Sequence, residues 1–165
     1  MMPLLVGAVL LGLESMIREV FLLDAWTPPL LTLLVLWLGQ QPGIVRNALW
    51  VATLGILADG MAGSPVGLHV LYGVCLLYIS AFVSKQVRLR GSLSHLVNGL
   101  LGGLVSLLLM GLLTRLVSGT QTFGERMGDL LIPWLLTTAL LSPVLFPFFA
   151  RLSDLTARRR EYDRI

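Results

Sequence analysis

Three charged side chains interrupt the first apolar run of this 165-residue chain: Glu14, Arg18 and Glu19. Glu14 and Arg18 stand four residues apart, so on a helix they stack as neighbours of opposite sign, while Glu19 points about 140° away from Glu14. Two placements follow. If the helix starts near Pro3, Glu14 lies about 16 Å along it, near the middle of a bilayer's apolar layer, where a charged pair must face a helix bundle or a partner's helix. If the helix sits deeper, the same residues reach the outer headgroups and Arg18 snorkels. The sequence leaves both open.

The second candidate is the segment from Gly55 to His69, in which Gly55, Gly60, Gly63 and Gly67, with Pro65, surround the single carboxylate of Asp59. Glycine permits positive backbone angles and close helix approach, Pro65 can open a following helix, and Asp59 can cap free amides in a tight turn. Catalysis would need a second group, and only His69 and Ser64 are near. Ser64, ahead of a proline in Ala-Gly-Ser-Pro, offers neither a nucleophile elbow nor a comparable oxyanion site. The glycine and proline content accounts for a shaped hairpin without any chemistry.

No catalytic residue or cofactor is therefore expected, and no HExxH, P-loop or dinucleotide fingerprint occurs. His69 and His95 fall near the ends of different spans on opposite sides, so they cannot share a metal. The lone Cys75, inside an apolar run, excludes a disulfide or a cysteine zinc site built from this chain.

The elements that must position these groups follow from composition. The chain is 56% hydrophobic and 13% charged, with a mean hydropathy of +0.85. A soluble domain carries about 25% charged residues, so much of this surface must be solvated by lipid. The net charge of +3 and pI near 9.6 do not argue for a nucleic-acid partner, because the cations sit between apolar runs.

A membrane helix needs about 20 mainly apolar residues. Charge-free gaps at 25–45, 60–84, 91–114 and 130–150 satisfy that length, and two shorter apolar stretches precede Glu14 and Asp59. The expected architecture is an all-α integral membrane protein, a six-helix polytopic bundle. It fills residues 1–150, with spans near 3–23, 28–40, 43–60, 66–84, 94–117 and 129–150, followed by a basic cytoplasmic tail, 151–165. The first span has no basic n-region or small-residue cleavage site after it and reads as retained. The second, between Pro28-Pro29 and Gly39–Gly43, has a helical core of only about a dozen residues, short for a full crossing.

With both termini inside, nine of the twelve cations fall on the cytoplasmic side (Arg46, Lys85, Arg88, Arg90, Arg151, Arg158, Arg159, Arg160 and Arg164), against Arg18, Arg115 and Arg126 outside. The positive-inside rule thus favours an even number of spans and cytoplasmic termini. Gly99 and Gly103 form a GxxxG on the fifth span, which can seat a partner's helix or, as glycine-rich membrane helices commonly do, pack internally. Pro133, Pro143 and Pro147 predict a kinked or irregular cytoplasmic half of the sixth span. The four tryptophans lie mostly near span ends, as interfacial anchors do.

An apolar span ending Gly55-x-Leu57-x-Asp59, then Gly63-Ser64-Pro65-x-Gly67-Leu68 and a further span, resembles the MreD family of rod-shape-determining membrane proteins. The proline-opened second span, the basic loop after the fourth and the basic C-terminus look like that family over essentially the whole length. Glu14 and Arg18 match no motif of it. The resemblance implies a non-enzymatic scaffold in the bacterial inner membrane. Its expected partner is a bitopic MreC-like protein within the machinery for cell elongation and lateral peptidoglycan synthesis, alongside MreB, RodA and a penicillin-binding transpeptidase. It also implies a fold similar to the substrate-binding subunits of energy-coupling-factor transporters. That likeness supplies the alternative, a vitamin-type small-molecule binding subunit of a transporter, for which Glu14, Arg18, Asp59 and His69 would be the converging polar set.

Overall fold

A computed structural model describes residues 2–21, 29–62, 65–86, 92–118 and 122–162. Six helices follow in order: α1 (Met2–Phe21), α2 (Leu30–Gly39), α3 (Ile44–Ala62), α4 (Leu68–Gln86), α5 (Ser92–Ser118) and α6 (Thr122–Tyr162). No strand occurs among the described residues. Four helices contain stretches long and apolar enough to cross a membrane: Ile44–Ala62, Leu68–Lys85, His95–Leu116 and Leu131–Ser153. Their outward faces are apolar too. Leu108, Leu112 and Leu116 line one side of α5, and Ile132, Leu136, Leu140 and Val144 form a stripe along α6 at a spacing of four. A stripe of that kind facing outward is what hydrocarbon solvates.

At the centre lies the shortest helix. The ten residues of α2 rise only about 15 Å, half the thickness of a hydrocarbon layer. It packs against every other helix. Leu33 through Leu38 are each no more than 6% exposed, on all sides of the helix, so α2 is a core element. The expectation of interfacial tryptophans fails here for the same reason. Trp37 is buried in this core with its ring 5.6 Å from that of Phe149.

The helices alternate in direction, as their contacts show. Gly55 of α3 lies against Val70 of α4, and Gly73 of α4 against Val51, so these two are antiparallel. Thr32 meets Tyr72 while Gly39 meets Leu77 and Ser80, so α2 and α4 run parallel. Gly99 meets Ser142 and Ser106 meets Trp134, which sets α6 antiparallel to α5. Tyr72, which meets Thr32, also bonds Ser106, whereas Leu36, whose carbonyl Ser80 reaches, lies beside Gly102, so α5 is antiparallel to both α2 and α4. One end of the bundle therefore gathers the C-termini of α2 and α4, the N-termini of α3 and α5 and residues near 146–153 of α6. Arg46, Lys85 and Arg151 are exposed there. The opposite end carries Glu14, Asp59, His69 and Arg115.

The last helix exceeds its charge-free gap at both ends, running 41 residues through Arg151 and the basic segment to Tyr162. Absence of charge measures the apolar part of a helix, not its length, and Arg, Leu and Glu propagate helix as readily in water. The three prolines expected to make it irregular lie inside continuous helix. Pro143 has no N–H for the carbonyl of Ala139; the Ser142 hydroxyl lies 3.0 Å from that carbonyl and 2.8 Å from the His95 carbonyl, with one proton to share between them.

Candidate functional site

Asp59 sits in the last turn of α3 and is 3% exposed. One carboxylate oxygen accepts the backbone N–H of Gly67 at 2.7 Å, and the other accepts the backbone N–H of His69 at 3.0 Å. The His69 ring Nδ1 lies 2.7 Å from that second oxygen. Gly67 immediately precedes α4 and His69 lies in its first turn, where the N–H groups have no partner in their own helix. The carboxylate of one helix thus caps the next across the hairpin, with its charge at the positive end of the α4 dipole. Hydrogen bonds from backbone amides to a charged acceptor contribute about 1.5–3 kcal/mol each.

The intervening turn is shaped for this. Leu68 donates to the carbonyl of Pro65 at 3.1 Å, Val66 stands at the exposed tip, and Gly67 takes φ +98°, which a type II turn requires at its third position. Gly55 serves a separate purpose, since an added Cβ would lie 2.7 Å from both the nitrogen and the Cα of Val70. The backbones of α3 and α4 touch at this point. Gly60, by contrast, faces open space. Gly63 and Ser64 lie outside the described residues, as do the side chains of Arg18 and Glu19.

Glu14 does similar work for α2. Its carboxylate accepts the N–H of Leu31 at 3.3 Å, in the first turn of a helix whose preceding residue, Pro29, provides no side-chain cap. The other end of α2 is closed by side chains the sequence did not single out. Asn47, 2% exposed, donates to the Leu38 carbonyl at 2.9 Å, and Ser80 donates to the Leu36 carbonyl at 2.8 Å. A helix leaves its first four N–H and last four C=O groups without a partner of its own, a large share of the backbone in a helix this short, and in lipid each costs several kcal/mol unless a neighbour supplies a partner. The signal for Asn47 was present in the sequence, as a lone carboxamide one turn into an apolar helix.

Gly99 and Gly103 face α6. A Cβ on Gly99 would collide with the Ser142 hydroxyl and lie 3.0 Å from the Thr138 carbonyl, while one on Gly103 would meet Thr138 at 3.1 Å. The GxxxG is filled by this chain's own helix. Around it, Trp134 donates to Ser106 at 2.9 Å, Thr138 to the Trp134 carbonyl at 2.6 Å, and Ser142 to the His95 carbonyl at 2.8 Å. His95 presents its ring edge-on to Phe146, with Nδ1 buried and not hydrogen-bonded among the described residues. His69 and His95 are at opposite ends of the bundle. No three His, Cys, Asp or Glu side chains converge as a metal site among the described residues.

No protein-family model matches the chain, and comparison with curated proteins and with solved structures finds no significant similarity. The class defined by the fold is a helical protein of the membrane.

Proposed function

We propose that this protein is a non-enzymatic scaffold of the bacterial inner membrane. It holds a bitopic MreC-like partner within the machinery for cell elongation and lateral peptidoglycan synthesis, as the motif around Asp59 and its resemblance to the MreD family suggest. In this reading α1 and α2 complete six membrane-embedded elements, arranged similarly to the substrate-binding subunits of energy-coupling-factor transporters, and both termini face the cytoplasm. MreB, RodA and a penicillin-binding transpeptidase are reached through that partner.

The observation that carries the proposal is the use made of the intramembrane carboxylates. Asp59 and Glu14 accept backbone N–H groups at the starts of α4 and α2, a role that builds a rigid platform and needs no substrate. The exposed cations support the orientation, since Arg46, Lys85 and Arg151 share one end and would face the cytoplasm.

The transporter-subunit reading keeps one supporting observation, that Glu14, Asp59 and His69 share an end of the bundle. Isolation of the tagged protein in mild detergent separates the two. Recovery of a single-span MreC-like protein in near-stoichiometric amount is expected. Tight retention of a vitamin-sized ligand, with no such partner, would sink the scaffold reading in favour of the other.

A further inference from the structure

Among the described residues, hydrogen bonds join the helices in two sets. In one, Glu14 ties α1 to α2, Asn47 ties α3 to α2, Ser80 ties α4 to α2, and Asp59 joins α3 to α4. In the other, Trp134 and Ser142 tie α6 to α5, where Gly99 and Gly103 let the two helices approach closely. A hydrogen bond between Tyr72 of α4 and Ser106 of α5 crosses from one set to the other. Elsewhere along this seam Leu36 lies against Gly102 and the Trp37 ring against Phe149. Such contacts compete with acyl chains that are equally apolar, so in lipid a crossing hydrogen bond carries weight in fixing how the helices sit.

The proton order at the crossing is set by its neighbours. Ser106, fully buried, donates its one proton to the Gly103 carbonyl at 2.7 Å and accepts the Trp134 indole N–H, a group that can only donate, at 2.9 Å. Tyr72 must therefore donate to Ser106, and Thr32, 2.9 Å from the Tyr72 hydroxyl, must donate to Tyr72. This chain can also be undone without stranding a proton. If Tyr72 turns its proton to Thr32, the Thr32 hydroxyl can donate to a carbonyl one turn back in its own helix, while Ser106 keeps both Gly103 and Trp134. Each set of helices then satisfies its own polar groups. We propose that the protein is built as two bodies, α1–α4 and α5–α6, and that the hydrogen bond from Tyr72 to Ser106 is a reversible latch holding them in one register, with Thr32 taking the Tyr72 proton when the latch opens.

The latch needs no partner and is independent of the scaffold reading. The test is double electron–electron resonance on the full chain in mild detergent, with Cys75 replaced by alanine and nitroxide labels on introduced cysteines. One pair, Leu71→Cys with Ile132→Cys, spans the seam from α4 to α6 at exposed positions; a control pair, Val9→Cys with Leu71→Cys, lies within one body. Both pairs are expected to give a single narrow distance. Tyr72→Phe, which keeps the ring and loses the hydroxyl, should add a second, longer distance to the seam pair and leave the control pair unchanged. Thr32→Val should leave the seam pair narrow, because it removes the group to which the Tyr72 proton turns on opening. Should Tyr72→Phe fail to give monodisperse protein, Ser106→Ala removes the same bond from α5. A seam distance that neither variant alters would overturn the proposal. So would broadening of the control pair along with the seam pair, or broadening by Thr32→Val as large as that by Tyr72→Phe.

Discussion

At the scale of single residues, the polar groups inside the bundle divide by what they bond. Asp59, Glu14, Asn47 and Ser80 all bond backbone groups at or near the end of another helix. Removing the carboxylate of Asp59 or Glu14 strands backbone N–H groups, at about 1–3 kcal/mol per orphaned group, whereas the Leu38 and Leu36 carbonyls reached by Asn47 and Ser80 keep the Gln41 N–H and the Gln40 carboxamide as donors. Glu14→Ala should therefore destabilise the protein by about 1 kcal/mol, the low end because its bond to Leu31 is long. Glu14→Gln keeps an acceptor and should recover part of the loss. Thermal unfolding in detergent checks both, and equal melting by all three proteins would show that α2 does not depend on this cap. The sequence exposed Glu14 and Asp59 as anomalies because charge within an apolar run is conspicuous. Their partners were hidden: the amides of Gly67 and His69 lie eight and ten residues from Asp59, and nothing in a sequence marks which backbone N–H is left over.

At the scale of elements, glycine has different uses at different positions of one motif. Gly55 is a contact between backbones, so Gly55→Ala forces α3 and α4 apart and should lower the melting temperature clearly. Gly60 meets nothing, so Gly60→Ala should be neutral or stabilising, by up to about 1 kcal/mol, since alanine is the better helix former. A reversal of that order would mean the hairpin is held by something other than the α3–α4 crossing. Helix existence was legible because charges mark where helices leave lipid. What charge could not mark was the burial of α2, whose ten mainly apolar residues read alike as a short span or as a core helix, and the run of α6 beyond its apolar part. The prolines did not end the helix, which runs on through Pro133, Pro143 and Pro147.

At the scale of the whole molecule, the ends differ in sign. Among the described residues, the helix-capping carboxylates of buried Asp59 and half-buried Glu14 stand at one end, with Arg115, and exposed Arg46, Lys85 and Arg151 at the other. Once Cys75 is replaced by alanine, Val66→Cys at the exposed hairpin tip should react with a membrane-impermeant thiol reagent in intact cells. Lys85→Cys should react only after the membrane is opened, and the converse pattern would invert the proposed orientation. The same division bears on what the protein is for. A carboxylate kept for a ligand or a reaction is commonly neutral or stabilising to remove, because functional sites are held at some expense of stability. A carboxylate that caps a helix is destabilising to remove. The most direct test of whether Asp59 holds a platform together or serves a ligand is the melting temperature of Asp59→Ala in detergent. A drop of several degrees is predicted, as about 2 kcal/mol lost from a chain of this size implies. An unchanged or raised melting temperature would contradict the structural role and point to Asp59 as a binding group.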